Sequence, residues 1–317
     1  MKTVLTAILL ISFQSFIPGK KYDYRTETDV IRLADYPDRD IYIYYPASAQ
    51  TGQPVPVVFM FHGTGGDGRE FYNASTWKEL ARPRGFIAVF PTAERYHLCE
   101  DGEDPKWKTK WAVPELEEIL CPGQDLGDDI AFFRQLLNQL SSTYPIDPER
   151  VFITGFSNGG AFTSYLLLQA SDVVSAAASH AGGLDVDLSQ ETFKNKRPVF
   201  LSVGTLDPYY TPYNGGEELP FGSALIDAGW FQHRLPGNLS YYCLAPEYEE
   251  LRRPTVGTSR SALFGALFDQ PGLCGDFRRT AIVTMLFDNL GHHYPNGRNY
   301  RVSLPLILYE FFMRYTD

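Results

Sequence analysis

The sequence is poor in basic residues and in long apolar runs. The 317 residues include 28 Lys and Arg and 38 Asp and Glu, which gives a net charge of -10. This balance argues against nucleic acid or an acidic membrane surface as a partner. The apolar stretch at residues 3–13 is too short to span a bilayer comfortably and follows one lysine. We interpret residues 1–19 as a secretory signal peptide that is removed, with an uncleaved anchor as the alternative.

Cysteine is also scarce, with four in the chain and none in a C-x-x-C pair. This spacing disfavours zinc ribbons and thioredoxin chemistry, and we predict no metal site. An even number of cysteines in an exported chain predicts two disulfides. Three connectivities are open, and the first choice pairs sequence neighbours, Cys99 with Cys121 and Cys243 with Cys274.

The chain contains no internal repeat and no linker rich in proline or serine. We therefore predict that residues 20–317 form a single domain. Residues 92–127 lose all periodicity and are interpreted as a surface insertion pinned by a disulfide. Residues 209–275 are the least regular part and are expected to cap the functional site.

Short apolar runs alternate with helical patterns through most of the chain. The runs typical of buried strands are Val57–Phe61, Phe86–Phe90, Val151–Ile153, Ala176–Ala178, Val199–Val203 and Ala281–Leu286. The patterns typical of helices lie at residues 77–81, 130–140 and 304–315, and an outer antiparallel strand is expected at 39–45. This alternation predicts an α/β fold, a doubly wound and mostly parallel sheet with helices on both faces.

The stretch Val151–Leu168 carries the strongest chemical signal. It reads as a buried strand, a sharp turn at Gly155–Gly159 and a helix, and the turn fits G-x-S-x-G around Ser157. In this arrangement a strained strand-to-helix corner exposes the serine hydroxyl. Glycine flanks the serine because the close-packed strand and helix leave no room for a Cβ.

A serine nucleophile needs a histidine base and a carboxylate that fixes the histidine tautomer. In hydrolases with this elbow the acid and then the base follow the serine along the chain. Asp207 follows the strand at residues 199–203, and His292 lies on a glycine turn after the strand at 281–286. We prefer His292 to the adjacent His293, and we interpret Asp128–Asp129, which precede the elbow, as helix caps.

The loop at residues 62–68 is expected to complete an oxyanion hole. The backbone NH groups of Asn158 and Thr64, or alternatively Gly63, would stabilise a negatively charged tetrahedral intermediate. His62 is expected to brace this loop rather than to react.

The same loop also matches G-x-G-x-x-G, the pattern of dinucleotide-binding folds. A dinucleotide-binding fold requires a helix that begins directly after the glycine-rich loop and a carboxylate at the end of the next strand. Here the next strand is followed by Pro91-Thr92. The dinucleotide interpretation is therefore disfavoured.

With these motifs assembled, the chain resembles a family of secreted esterases. The matching segments are the apolar strand before His62-Gly63, residues 77–91, Asp128-Asp129 with Phe132, residues 146–151, Gly155–Gly160, Gly204–Asp207, residues 212–216 and Gly291–Pro295. These segments are similar, in the same order, to poly(3-hydroxybutyrate) depolymerases and to feruloyl and acetylxylan esterases of the carbohydrate esterase family 1 type. The resemblance covers nearly the whole mature chain.

The resemblance implies an α/β-hydrolase fold, a Ser157, Asp207 and His292 triad, and no cofactor. It implies an ester as the binding partner, with feruloyl or acetyl esters of plant cell-wall polysaccharide first and a polyhydroxyalkanoate second. His180 is a candidate to line the pocket, with simple packing behind it as the equal alternative. Tyr209, Tyr213 and Tyr294, with Tyr210, are candidates for an aromatic wall, or else pack among themselves. Two other interpretations remain open, a peptidase of the same fold and a secreted binding protein on an inactive hydrolase scaffold.

Overall fold

Six parallel strands form the centre of the fold and bring their carboxyl ends to one edge of a sheet. The computed structural model describes residues 22–100, 102–183, 195–222, 242–253, 262–270 and 281–315, together with residues 224 and 239. The predicted signal peptide at residues 1–19 lies outside the described residues.

The strands and helices of the described residues follow the alternating pattern of the sequence. The strands are β1 Thr28–Leu33, β2 Tyr36–Tyr44, β3 Val55–Phe61, β4 Ile87–Pro91, β5 Glu94–Leu98, β6 Lys106–Lys110, β7 Ile146–Phe156, β8 Ala176–His180, β9 Val199–Gly204, β10 Glu249–Arg253, β11 Leu263–Phe268 and β12 Ile282–Phe287. The α-helices are α1 Gly68–Ala74, α2 Trp77–Arg84, α3 Asp129–Thr143, α4 Asn158–Ala170 and α5 Leu304–Arg314. Within these ranges, no helix has the length and apolar character needed to cross a membrane.

Ten of these strands form one sheet in the order β1-β2-β4-β3-β7-β8-β9-β12-β11-β10. Neighbours from β4 to β12 run parallel, while β1, β2, β11 and β10 add antiparallel edges. The central strands are covered on both faces, which explains their continuous apolar runs. The predicted doubly wound, mostly parallel sheet is confirmed.

Each face of the sheet carries its own apolar core. On β3, Val57 and Phe59 pack on one face with residues of α3 and α4. The alternate residues Val58 and Met60 pack on the other face with residues of α2 and α5. Because side chains alternate along a strand, one apolar run supplies both cores.

Residues 209–275, expected to be an irregular cap, contribute two strands to the sheet. The strand β11 is fully buried and pairs with β12, and β10 pairs with β11 at the edge. Gly265 interrupts the apolar pattern of β11 at a point where a Cβ would lie 2.8 Å from the Thr284 carbonyl oxygen. Because this close approach requires glycine, the strand pattern is weaker in this part of the sequence.

Residues 92–127, expected to be a surface insertion, are anchored in the core. They form the antiparallel hairpin β5–β6, and the predicted Cys99–Cys121 disulfide is present. Trp111 is completely buried, and its Nε1 donates a hydrogen bond to the His62 carbonyl oxygen at 3.0 Å. The second predicted disulfide lies outside the described residues, because Cys274 is not among them.

A buried ion pair holds the start of this insertion against the sheet. Arg39 on β2 contacts Asp129 at the start of α3 with 2.5 Å between Nη1 and Oδ1, and both side chains are almost completely buried. The second carboxylate oxygen accepts the Ala112 NH at 2.7 Å, and Arg39 Nε donates to the Thr92 carbonyl oxygen at 2.8 Å. One charge pair thus joins strand, helix and insertion.

We expect Asp129→Asn to lower the free energy of unfolding by about 3–5 kcal/mol, because it leaves the Arg39 charge buried without its partner. Urea unfolding followed by circular dichroism measures this change. The control is Asp40→Asn, which breaks the exposed Arg32–Asp40 pair and should change stability far less. Equal changes in the two variants would contradict the prediction.

Candidate active site

Ser157 lies on a strained corner between β7 and α4. Its backbone has φ 54° and ψ -123°, a conformation that costs a non-glycine residue about 1–3 kcal/mol. The flanking glycines allow the corner to close. A Cβ on Gly155 would lie 2.0 Å from the Gly159 carbonyl oxygen, and one on Gly159 would lie 2.4 Å from the His62 carbonyl oxygen. The sequence therefore folds here into a turn that exposes the serine side chain.

Asp207 and His292 reach Ser157 from the loops after two neighbouring strands. The strands β9 and β12 pair in parallel, so their carboxyl ends meet at the same edge. His292 Nε2 lies 2.8 Å from Ser157 Oγ, and its Nδ1 lies 2.8 Å from Asp207 Oδ2. The three side chains form one continuous hydrogen-bonded chain.

The buried carboxylate determines how the histidine ring is protonated. The Asp207 side chain is 0% exposed, and its second oxygen, Oδ1, accepts the Tyr209 NH at 3.0 Å. Since an ionised carboxylate only accepts hydrogen bonds, Nδ1 of His292 carries the proton that faces it. The other nitrogen, Nε2, is then free to accept the Ser157 hydroxyl proton.

Backbone contacts fix the acid loop and the base loop to each other. The Leu206 NH donates to the Leu290 carbonyl oxygen at 2.9 Å. A Cβ on Gly204 would lie 2.0 Å from that same oxygen, so only glycine permits this approach. Thr205 Oγ1 accepts the Asn289 NH at 2.8 Å. Asp207 and His292 are therefore held by one rigid pair of loops.

The loop after β3 lies directly against the serine corner. A Cβ on Gly63 would be 3.4 Å from Ser157 Cβ, which brings the next residue, Thr64, close to the corner. The Asn158 side chain bonds both the backbone NH and the backbone carbonyl of Trp111 and so ties α4 to the insertion. The oxyanion role of the Thr64 and Asn158 NH groups stays a prediction.

His62 braces this loop. Its ring is buried, with Nδ1 2.7 Å from the Gly63 carbonyl oxygen, and Nε2 accepts the Ala93 NH at 3.0 Å. Burial lowers the pKa of His62 to about 4, so the ring is neutral and Nδ1 is the donor. These contacts leave neither nitrogen for proton transfer to a substrate.

A cavity of about 260 Å³ opens beside Ser157. It is lined by Ser157, Asn158, Ala161, Ala181, Gly182, Tyr209, Tyr210, Tyr213 and His292. Tyr209 and Tyr213 are 69% and 50% exposed, and the edge of the Tyr209 ring contacts His292 with 4.6 Å between ring centres. The cavity thus has a floor of small residues and a wall of tyrosines.

The small residues of the cavity floor were not predicted from the sequence. Ala181 and Gly182 follow β8 at the carboxyl edge of the sheet, where sites of open α/β sheets collect. A Cβ on Gly182 would lie 2.2 Å from the Ala161 backbone nitrogen. A run of small residues at that edge was the available signal.

His180 and Tyr294, both expected to contact substrate, lie behind the cavity instead. His180 is 1% exposed and bonds to Ser202 and to the His293 carbonyl oxygen. Tyr294 is 7% exposed, and its hydroxyl oxygen accepts the Trp77 Nε1 hydrogen at 3.0 Å. Buried side chains with internal partners support the cavity rather than line it.

A comparison with known protein families assigns the chain to one of them. A family model described as phospholipase/carboxylesterase matches residues 47–219, which contain Ser157 and Asp207. The chain belongs to this phospholipase/carboxylesterase family. In the described ranges of this family member, no group of three or more His, Cys, Asp or Glu side chains could hold a metal ion.

Curated relatives of this family member include esterases. The chain is 28% identical over 155 residues to "Feruloyl esterase B" of Thermothelomyces thermophilus, across 49% of this chain and 48% of the relative. It is 25% identical over 142 residues to "Acetylxylan esterase A" of Aspergillus oryzae, across 45% of this chain and 41% of the relative. The matched segments span 48% and 41% of the length of these two relatives. The resemblance to feruloyl and acetylxylan esterases is confirmed at this modest identity.

A solved structure supports the fold assignment. The S-formylglutathione hydrolase of Agrobacterium tumefaciens superposes with a TM-score of 0.53 at 11% identity, across 95% of this chain and 99% of that chain. The α/β-hydrolase fold of this family member is confirmed.

Proposed function

We propose that this chain is a serine carboxylesterase with Ser157 as nucleophile, His292 as general base and Asp207 as the carboxylate that orients His292. The observation that carries the proposal is the unbroken chain of hydrogen bonds between the three side chains, 2.8 Å at each step. The position of Ser157 on a strained strand-to-helix corner beside an open cavity supports the same assignment.

In the proposed reaction, Ser157 Oγ attacks the ester carbonyl carbon while His292 Nε2 takes the hydroxyl proton. The NH groups of Thr64 and Asn158 donate to the resulting oxyanion. The carbon–oxygen bond to the alcohol then breaks, and His292 returns the proton to the departing alcohol.

The acyl group now remains on Ser157 and is released by water. His292 takes a proton from the water as its oxygen attacks the acyl carbon, which gives a second tetrahedral intermediate. This intermediate breaks the bond to Ser157, whose oxygen recovers the proton from His292, and the free acid leaves. The second half of the cycle thus uses the same three side chains.

We propose feruloyl or acetyl esters of plant cell-wall polysaccharide as the substrate class. Relatives named as feruloyl and acetylxylan esterases support this class. Tyr209, Tyr210 and Tyr213 on the cavity wall favour an aromatic acyl group, because aromatic rings pack well edge to face. An acetyl group has only three heavy atoms and would leave most of this wall without contact.

We also propose that the protein is exported. The Cys99–Cys121 disulfide supports export, because such bonds persist in oxidising compartments. Residues 1–19, predicted to be the signal peptide, supply the second argument from the sequence alone.

The proposed activity is tested by hydrolysis rates on methyl ferulate, p-nitrophenyl acetate and 3-hydroxybutyrate oligomers, with fluorophosphonate-treated protein as the blank. We expect rates above the blank on the first two esters and the highest kcat/KM on methyl ferulate. A preference for the hydroxybutyrate oligomers would move the substrate class to polyhydroxyalkanoates. No rate above the blank on any ester would contradict the esterase proposal.

We expect Tyr213→Ala to raise KM for methyl ferulate about fivefold, since an aromatic contact contributes about 1 kcal/mol. KM for p-nitrophenyl acetate should change less, because its acyl group has only three heavy atoms and no ring. Steady-state kinetics on the two esters measures the difference. Trp107→Ala is the control, since Trp107 is 55% exposed but lies on the β5–β6 hairpin outside the cavity lining. The same rise in both variants would argue against an aromatic acyl pocket.

A further inference from the structure

His180, the last residue of β8, contacts both halves of the proposed site. Its backbone carbonyl accepts the Ser157 NH at 2.9 Å and so holds the nucleophile corner. Its ring Nε2 lies 2.9 Å from the carbonyl oxygen of His293, the residue directly after the proposed base. One buried residue therefore connects the loop of Ser157 to the loop of His292.

The hydrogen-bond partners fix the tautomer of His180. A carbonyl oxygen only accepts, so Nε2 carries the proton and donates to His293. Nδ1 has no proton in a neutral ring, so it accepts the Ser202 hydroxyl, whose oxygen lies 2.8 Å away. Burial lowers the pKa of His180 to about 4, which keeps the ring neutral near pH 7.

Aromatic neighbours hold the ring in this orientation. Phe156 stacks on it with 5.9 Å between ring centres, and Phe287 and Tyr294 contact it edge to face at 5.6 and 5.9 Å. The ring is 1% exposed and absent from the cavity lining, so it does not reach a substrate. The contacts of the His180 ring are therefore with other residues of the protein and not with a substrate.

The position of His292 depends on the backbone that His180 holds. His292 must keep 2.8 Å to Ser157 on one side and 2.8 Å to Asp207 on the other. The peptide after it turns back sharply, with the His293 NH donating to the Gly291 carbonyl oxygen at 2.9 Å. Loss of the bond to His180 removes one of the hydrogen bonds that hold this turn, at the carbonyl directly after His292. A displacement of about 1 Å at a catalytic group can cost about 10²-fold in rate.

We propose that His180 is a positioning residue of the esterase, whose Nε2–H bond to the His293 carbonyl holds His292 over Ser157. This inference rests on the proposed function. It replaces the expectation that His180 lines the pocket, and it assigns His180 neither a charge nor a proton transfer.

Three variants separate the two hydrogen bonds of the ring. In His180→Gln the longer side chain places an amide NH near the position of Nε2 and keeps a donor for His293. In His180→Asn the shorter side chain reaches only the position of Nδ1, so it keeps a partner for Ser202 and loses the bond to His293. Ser202→Ala removes the other bond alone and is the matched control.

We expect His180→Asn to lower kcat on methyl ferulate about 10²-fold with KM within about twofold of wild type. His180→Gln should recover kcat to within about tenfold of wild type, and Ser202→Ala should retain wild-type kcat. The rate of fluorophosphonate labelling of Ser157 should follow the same order, because it reports His292 acting on Ser157 without a bound acyl substrate. Melting temperatures are measured beside these rates.

Several outcomes would overturn the inference. It fails if the asparagine variant keeps wild-type kcat, or if the glutamine and asparagine variants lose kcat equally and in proportion to their melting temperatures. If the asparagine variant does not fold, the glutamine variant decides, and a loss of 10²-fold or more there overturns the inference. Absence of Ser157-dependent hydrolysis in the wild type overturns the proposed function as well, whereas an active wild type with an equally active asparagine variant overturns the role of His180 alone.

Discussion

Ser157→Ala is expected to lower kcat by about 10⁴-fold or more on every ester that the wild type hydrolyses. On the proposed mechanism, the substitution removes the oxygen that forms the acyl bond, while the cavity and the NH groups around it stay. KM should change little, because the missing hydroxyl contributes to the transition state rather than to binding. Fluorophosphonate labelling at residue 157, read by peptide mass spectrometry, should disappear together with the activity.

The matched control for this loss is Ser142→Ala on α3, whose hydroxyl donates to the Asn138 carbonyl oxygen one turn earlier on the exposed helix. It should leave kcat and labelling unchanged. The double variant Ser157→Ala/His292→Ala should be no slower than Ser157→Ala alone, because side chains that act as one unit are not additive. A labelled peptide elsewhere in the chain, or a residual rate near the wild type, would show that another residue is the nucleophile.

Asp207→Asn is expected to lower kcat by about 10⁴-fold with little change in KM. The carboxylate accepts two hydrogen bonds, from the Tyr209 NH on Oδ1 and from His292 on Oδ2. An asparagine has one oxygen and one NH₂ group, so it satisfies only one of these donors. Since the Tyr209 NH is fixed in the backbone, the NH₂ group faces His292 and favours the wrong tautomer.

The control for this prediction is Asp288→Asn, a substitution of the same shape on the loop after β12. The hydrogen bonds of Asp288 in the described residues involve its backbone NH and carbonyl, so the rate should not change. Steady-state kinetics of both variants at the pH of maximal wild-type activity gives the comparison. A loss of less than about tenfold in Asp207→Asn would assign the orienting role to another carboxylate.

The centre of the fold was predictable because its strands are buried on both faces. The run Val57–Phe61 has no polar residue, and the runs after it have at most one, Ser202 or Thr284. The strands β3, β4, β7, β8, β9 and β12 follow these runs closely. The edges were not predictable to the same extent. The strand β1 is mostly exposed and shows no apolar alternation, and β11 carries Gly265 where the neighbouring strand comes close. Edge and interrupted strands depend on partners that the local sequence does not reveal.

The candidate site shows a similar division. Chain order and turn glycines predicted that Ser157, Asp207 and His292 would come together, and they lie within hydrogen-bond distance. Their catalytic role stays a prediction. The direction of side chains was beyond the sequence, because Tyr209 and Tyr294 both lie near the site but only Tyr209 faces the cavity. Packing between secondary-structure elements decides whether a tyrosine ring faces the cavity or lies behind it.

The strand order also bears on when the proposed site can be completed during synthesis. The strands β10 and β11 are made before β12, yet they join the sheet only through β12, which inserts between β9 and β11. His292 follows β12 directly. At roughly 5–20 residues per second, the 135 residues that separate Ser157 from His292 take about 7–27 s to synthesise. On the proposed mechanism, a nascent chain therefore carries its nucleophile for that time before its general base has been made.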